Sequence, residues 1–191
     1  MKNNLYTTIN SGKYKGKKLL LPSLSTTRST KSIIKESFFN TVQFEIIGKN
    51  FIEVFAGSGS MGLEALSRGA KKVYFIEKDK SAYRILLENI KSLNTKECTA
   101  VNGDSFVEFS NILNLLEGKS YFYFDPPFHI RNGMDEIYEK TFELIGKIPK
   151  ELSEMIAVEH ISTLQMPDNI SGYKLKKSRK FGKTTISYFL E

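Results

Sequence analysis

The stretch YFYFDPPFHI places one carboxylate, Asp125, between four aromatic residues and two consecutive prolines, with Phe128 directly after them. Consecutive prolines fix φ and remove two N–H donors, so the corner from Asp125 to Phe128 is stiff and offers free carbonyls. That combination suits an exocyclic amine as nucleophile. The amino group of guanine or adenine reacts poorly because its lone pair is delocalised into the ring. Asp125 and the Pro126 carbonyl can each accept one of its hydrogens. This turns the lone pair toward an electrophile and stabilises the positive charge that develops on nitrogen. Phe128 can stack on the base, an interaction worth about 1–3 kcal/mol. Asp125, Pro126, Pro127 and Phe128 are therefore the catalytic candidates. Against this stands a simpler role for DPPF as a turn that ends a strand.

A second constellation is EVFAGSGSMG, with Gly57, Gly59 and Gly62 between an apolar run and a helical one. Glycines let the backbone turn sharply and let a ligand approach where a Cβ would block it. The free N–H groups at the following helix start attract an anionic group. A G-x-G-x-x-G pattern alone suits NAD as well as S-adenosylmethionine. Glu53, inside the preceding strand, is misplaced unless it meets a ligand or a donor, and the ammonium of a methionine moiety would serve. Glu77, ending the next apolar run, can accept both hydroxyls of a ribose. Asn102-Gly103-Asp104-Ser105 follows the third run. There Asp104 can accept from an adenine amino group or cap the next helix, and Phe106 can cover the adenine or join the core. With Phe55, Ser58, Lys78, Gly103 and Ser105 from the same turns, these residues form the cofactor set. An NAD enzyme has no use for DPPF at a strand end, which decides for S-adenosylmethionine.

These groups need a scaffold, and the apolar periodicity supplies one. Strands are expected at 51–55, 73–77, 98–102, 121–125 and 155–160, with helices at 60–69, 81–93, 105–116 and 133–145 between them. Such alternation implies a mostly parallel sheet covered by helices on both faces, an α/β doubly wound domain. Residues 6–21 read as a hairpin, Ile34, Phe38 and Val42 as one face of a helix that stops near Gly48, and 173–190 as a closing hairpin around Phe181-Gly182. Residues 1–25 are set apart as an extension and 26–191 as the catalytic domain.

The 191 residues carry a net charge of +7, unevenly spread. Residues 1–50 hold nine basic residues against two acidic ones, and 171–191 hold six against one, while the middle is mildly acidic. Basic ends around an acidic centre suit a polyanionic partner, although lysine-rich surfaces are also common. Lys13, Tyr14, Lys15, Lys17 and Lys18 suit a phosphate-tracking surface, and Lys176, Lys177, Arg179 and Lys180 extend it. A single cysteine, Cys98, excludes an internal disulfide, and no run has the length of a membrane span. Cytoplasm is the expected compartment.

The whole chain from Ile9 onward resembles the bacterial D-type 16S ribosomal RNA guanine-N2 methyltransferases. GKYKGKKL, Arg28-Ser29-Thr30, KESFFN, FAGSGSMGLEALSRGA, IEKD and DPPF carry the likeness. The resemblance implies a class I, Rossmann-like methyltransferase sheet of seven strands with an amino-terminal extension. It further implies S-adenosylmethionine as cofactor, no metal, and N2-methylation of one guanine of the position-966 type in 16S rRNA. The substrate would be an assembled or assembling small ribosomal subunit, and the enzyme a monomer. Arg28 would contact RNA, although serine replaces the proline usual after that arginine. Two alternatives stay open: a methyltransferase of another RNA or DNA amino group, and a non-catalytic binding protein of ribosomal RNA.

Overall fold

Short apolar strands separated by amphipathic helices resolve into a single large sheet. The computed structural model describes residues 5–22, 28–127 and 134–191. In chain order the elements are β1 (Tyr6–Thr8), β2 (Lys18–Leu20), α1 (Arg28–Val42), β3 (Asn50–Glu53), α2 (Ser60–Ser67), β4 (Lys72–Glu77), α3 (Lys80–Ser92) and β5 (Cys98–Asn102). They continue with α4 (Ser105–Leu113), β6 (Ser120–Phe124), α5 (Met134–Gly146), β7 (Ser153–Ile161), β8 (Asn169–Ile170), β9 (Tyr173–Phe181) and β10 (Thr184–Leu190).

The main sheet has the order β5-β4-β3-β6-β7-β10-β9-β8. Strands β3 to β7 run parallel, and β10 and β9 form the antiparallel closing hairpin. The seven expected strands are present. An eighth, the two-residue β8, pairs with β9 at the edge. It carries no apolar alternation of its own, so nothing in the local pattern announced it. The chain leaves β3 for β4 and β5, then crosses back to β6 on the other side of β3. Such a reversal opens a crevice beyond the carboxyl ends of the strands, where ligands of open α/β sheets bind.

Side-chain alternation divides the core into two layers. Phe51, Val73, Phe75, Tyr121, Tyr123 and Ala157 meet α1, α2 and α3 on one face. Ile52, Val54, Tyr74, Ile76, Phe122, Phe124 and Val158 meet α4 and α5 on the other. All four residues of β3 are buried, as expected of a central strand covered on both faces. Phe38 of α1 seals the first layer, meeting Phe51 and Tyr123 edge-on at 5.9 and 5.3 Å between ring centroids.

The amino-terminal hairpin is a separate two-stranded sheet, but its side chains join the main core: Ile9 and Leu19 have no exposed surface. Its turn lies against the carboxyl end of α2. A Cβ at Gly12 would fall 1.8 Å from the Ser67 carbonyl oxygen, so only glycine permits this approach. Asn89 of α3 fastens the other end, accepting from the Leu20 N–H at 2.8 Å and donating to the Leu20 carbonyl at 3.0 Å.

Candidate active site

The register of the parallel strands sets out the acidic residues before any ligand is considered. Phe75, Glu53, Tyr123 and Ala157 form one row across β4, β3, β6 and β7. Two residues further along, on the same face by strand periodicity, come Glu77, Asp125 and Glu159. Four carboxylates thus collect at the carboxyl ends of four adjacent strands. They line a cavity of about 540 Å³.

The cavity gathers Glu53, Phe55, Gly57, Ser58, Glu77 and Lys78 from the first two strand ends, Asp104 and Ser105 after β5, and Asp125 and Pro127 after β6. Gly59, Gly103 and Pro126 support it from outside its lining. Gly59 takes φ +76 at the start of α2, where a Cβ would strike Leu86 at 2.4 Å. Gly103 donates its N–H to the Glu77 carbonyl at 3.1 Å. Pro126 is buried. Phe128 and His129 lie outside the described residues. Arg28 begins α1, and its side chain also lies outside them.

Glu53 is 5% exposed and points at the amino end of α2, accepting from the Gly62 N–H at 2.8 Å and the Met61 N–H at 3.4 Å. Burial pushes its carboxyl up to about 8, against the lowering effect of these two donors. A cationic ligand group in the cavity would offset that burial. Glu77 shapes the glycine loop, accepting from the Gly57 N–H at 2.6 Å and the Asp79 N–H at 2.7 Å. Gly57 itself has φ +52, and a Cβ there would meet nothing within 4 Å. Backbone conformation, more than crowding within the protein, asks for glycine, and its open side borders the cavity. Asp104 caps α4 through the Phe106 N–H at 3.0 Å and pairs with Lys78 at 2.7 Å. That lysine, more than any other neighbour, holds the Asp104 carboxyl below its ordinary range. Phe106 stands edge-on to Phe55, its ring centroid 5.7 Å away. Buried and half-buried acids, a glycine loop at a helix start and an aromatic wall fit an elongated ligand with a cationic end, a ribose and a flat base.

At the other end Asp125 accepts a hydrogen bond from Lys31 of α1. Lys31 also donates to Glu159 at 3.0 Å, and the Tyr123 hydroxyl donates to the second oxygen of Glu159 at 2.7 Å. Burial works to lower the Lys31 pKa, but the charges of Asp125 and Glu159 outweigh it and raise it above its ordinary value. Burial, then the charge of Asp125, push Glu159 up to about 7. Sequence reasoning did not single out Lys31, Tyr123 or Glu159. Glu159 carried a signal, an acid within the apolar run MIAVEH comparable to Glu53 in FIEVF. Lys31 carried none, because only the packing of α1 brings it to two strand ends. The hairpin also contributes unexpectedly: Thr7, Leu21 and Pro22 line the cavity.

Lys13, Lys15, Lys17 and Lys18 are exposed and lie outside the cavity lining. The Lys13 N–H donates to the Ser67 carbonyl at 2.8 Å, which puts the turn at the end of α2 remote from the glycine loop. On β9, Lys176, Lys177 and Lys180 are exposed, whereas Arg179 reaches back to the Ser37 hydroxyl at 2.9 Å.

Known proteins share this fold. The model of the family described as conserved hypothetical protein 95 matches residues 7–190. Over 181 residues the chain is 26% identical to the Bacillus subtilis protein named "Putative rRNA methyltransferase YlbH", covering 94% of this chain and 96% of that one. It is 37% identical over 123 residues to ribosomal RNA small subunit methyltransferase D of Haemophilus influenzae, an alignment spanning 62% of each chain. Among solved structures, one described as "Putative methyltransferase yhhF from Escherichia coli" superposes with a TM-score of 0.75 at 27% identity, covering 97% of both chains.

Proposed function

The chain belongs to the conserved hypothetical protein 95 family, with D-type small-subunit rRNA methyltransferases among its relatives, and from that premise we propose that it methylates the exocyclic N2 of a guanine in 16S ribosomal RNA. It is a methyltransferase that uses S-adenosylmethionine on ribosomal RNA. The observation that carries this reading is the shared cavity. Asp125, followed by its double-proline corner, faces the same space as Glu53, Gly57, Glu77 and Asp104.

When bound, S-adenosylmethionine supplies an electrophilic methyl group on a sulfonium. In this reading Glu53 would hold its ammonium, Glu77 its ribose hydroxyls, and the Phe55–Phe106 side its adenine. Asp125 and the Pro126 carbonyl accept hydrogen bonds from the two N–H groups of the target amine, which aims the nitrogen lone pair and stabilises its developing charge. The proton that the methylated nitrogen must lose passes to Asp125. Holding amine and methyl in line at about 3–3.5 Å provides much of the remaining acceleration. Phe128 stacks on the base in this proposal, and Arg28 and the hairpin lysines follow the RNA backbone. The substrate is a small ribosomal subunit, assembled or in assembly, and the enzyme acts on it as a monomer in the cytoplasm. No helix among the described residues is long and apolar enough to cross a membrane.

The test is incubation of the protein and radiolabelled S-adenosylmethionine with small subunits from a strain lacking it, followed by mapping of the modified nucleotide. One N2-methylguanine in 16S rRNA is expected. Label at an adenine, or none on ribosomal particles at any assembly stage, would refute the reading.

A further inference from the structure

One buried carboxylate of the cavity lining has no part in the methyl transfer as described. Glu53, Glu77 and Asp104 are placed along the cofactor, and Asp125 holds the amine. Glu159 is 2% exposed and yet lines the same cavity. It stands two residues beyond Ala157, as Asp125 stands two beyond the paired Tyr123, so the two acids come from adjacent strand ends on one face. A single ammonium, Lys31 Nζ, donates to both. The two carboxylates therefore converge on one point that takes N–H donors. The Tyr123 hydroxyl fixes the other oxygen of Glu159 at 2.7 Å and orients the group.

We propose that Glu159 determines base specificity: its carboxylate accepts the ring N1–H of a guanine whose N2 amine is held by Asp125. This rests on the methyltransferase reading and adds the means of choosing the base. Guanine presents N1–H and the N2 amine side by side, a run of donors that fits two converging carboxylates. Adenine and cytosine also carry an exocyclic amine, but the Watson–Crick-edge nitrogen beside it, N1 of adenine or N3 of cytosine, bears a lone pair instead of an N–H. A carboxylate facing such a lone pair is repelled and left without a donor. Lys31 marks the place of those donors when no base is present. It is 38% exposed and enters from α1, so it can give up Asp125 to the incoming amine. Its charge stays beside the two acids, which avoids leaving an uncompensated buried pair.

The decisive substrate is a small subunit whose 16S rRNA carries 2-aminopurine at the methylated position, introduced by ligation, compared with the same particle carrying guanine. 2-Aminopurine keeps the N2 amine but has a lone pair at N1. Single-turnover methyl transfer is measured at pH 8.5, above the value of about 7 to which burial pushes Glu159, so that the group is ionised. The wild type is compared with Glu159→Gln, whose amide can offer an N–H to that lone pair. The wild type is expected to favour guanine by about 100-fold or more, since sites built for a substrate N–H reject analogues lacking it strongly. Glu159→Gln is expected to narrow the ratio at least tenfold (or reverse it), with cofactor affinity retained. A loss of both rates by the same factor, with the ratio intact, is what a merely structural role gives and would overturn the proposal. Equal rates for the two bases with the wild type would overturn it too, even if the variant failed to fold. A wild type inactive on guanine particles would instead sink the parent reading, and this one with it.

Discussion

The backbone N–H of Asn10 donates to Glu64 at 2.7 Å, tying the amino-terminal hairpin to a helix fifty-four residues later. Glu64 has no exposed surface and also accepts from the Ser11 N–H and Arg68, with Lys35 3.4 Å away. Lys35 is only 3% exposed and donates to the Thr8 carbonyl at 2.7 Å. One carboxylate thereby joins the hairpin, α1 and α2 behind the cavity.

Removing it should loosen all three. Glu64→Ala leaves the Lys35 and Arg68 charges and two N–H groups without their acceptor. The expected cost is about 3–5 kcal/mol, as for breaking a buried ion pair by deleting one partner. Denaturant unfolding checks this. A loss below about 1 kcal/mol would mean water replaces the carboxylate at little cost.

Asp125→Ala should abolish methyl transfer while leaving the fold and the cofactor site in place, because Lys31 keeps Glu159. Turnover is expected to drop by at least about 10²–10³, the usual consequence of losing one group that stabilises developing charge. Cofactor affinity, measured by calorimetry, should stay nearly constant. Undiminished turnover would remove Asp125 from the chemistry.

On the proposed reading, Glu53 should make cofactor binding depend on pH. With its carboxyl pushed up to about 8, the free protein holds a proton there at neutral pH. A ligand ammonium favours the ionised form, so binding near pH 7 should release up to one proton, and affinity should rise from pH 6 to 9. Calorimetry in buffers of different ionisation heat reads this directly. Stability runs the other way. Between the ordinary 4.5 and about 8 the folded state holds a proton that the unfolded chain has lost, so this group makes stability fall as pH rises. Glu53→Gln should flatten both dependences and weaken cofactor binding. Unaltered proton release in that variant would assign the proton elsewhere.

Replacing Lys13, Lys15, Lys17 and Lys18 by glutamine should weaken particle binding and flatten its salt dependence. The logarithmic slope should fall by about 0.7–0.9 for each phosphate that is no longer neutralised. Because these lysines lie outside the cavity lining, the single-turnover rate at saturating particle should change little. An unchanged slope would move the RNA surface away from the hairpin, with the β9 lysines next to test.

Much of the scaffold could be read from the residues in order. The apolar run at 98–102 became β5 residue for residue, and the tail folded about Phe181-Gly182 as its alternation implied. DPPF at a strand end and Glu53 before a glycine loop were recognisable because each violates a local rule: rigidity where a strand could continue, charge where burial is expected. The amino-terminal hairpin was visible as two strands, but its lining of the cavity through Thr7, Leu21 and Pro22 was not.

Local pattern therefore determined the strands, the helices and the residues that break their rules, since period and turn chemistry act within a few positions. The convergence of Lys31, Asp125 and Glu159 was decided only by the folded sheet. Ninety-four residues separate Lys31 from Asp125, and one hundred and twenty-eight separate it from Glu159. Which strands lie side by side, and in what register, follows from packing the whole core at once. A one-residue slip of β7 would turn Glu159 to the opposite face and leave every local pattern in the chain unchanged.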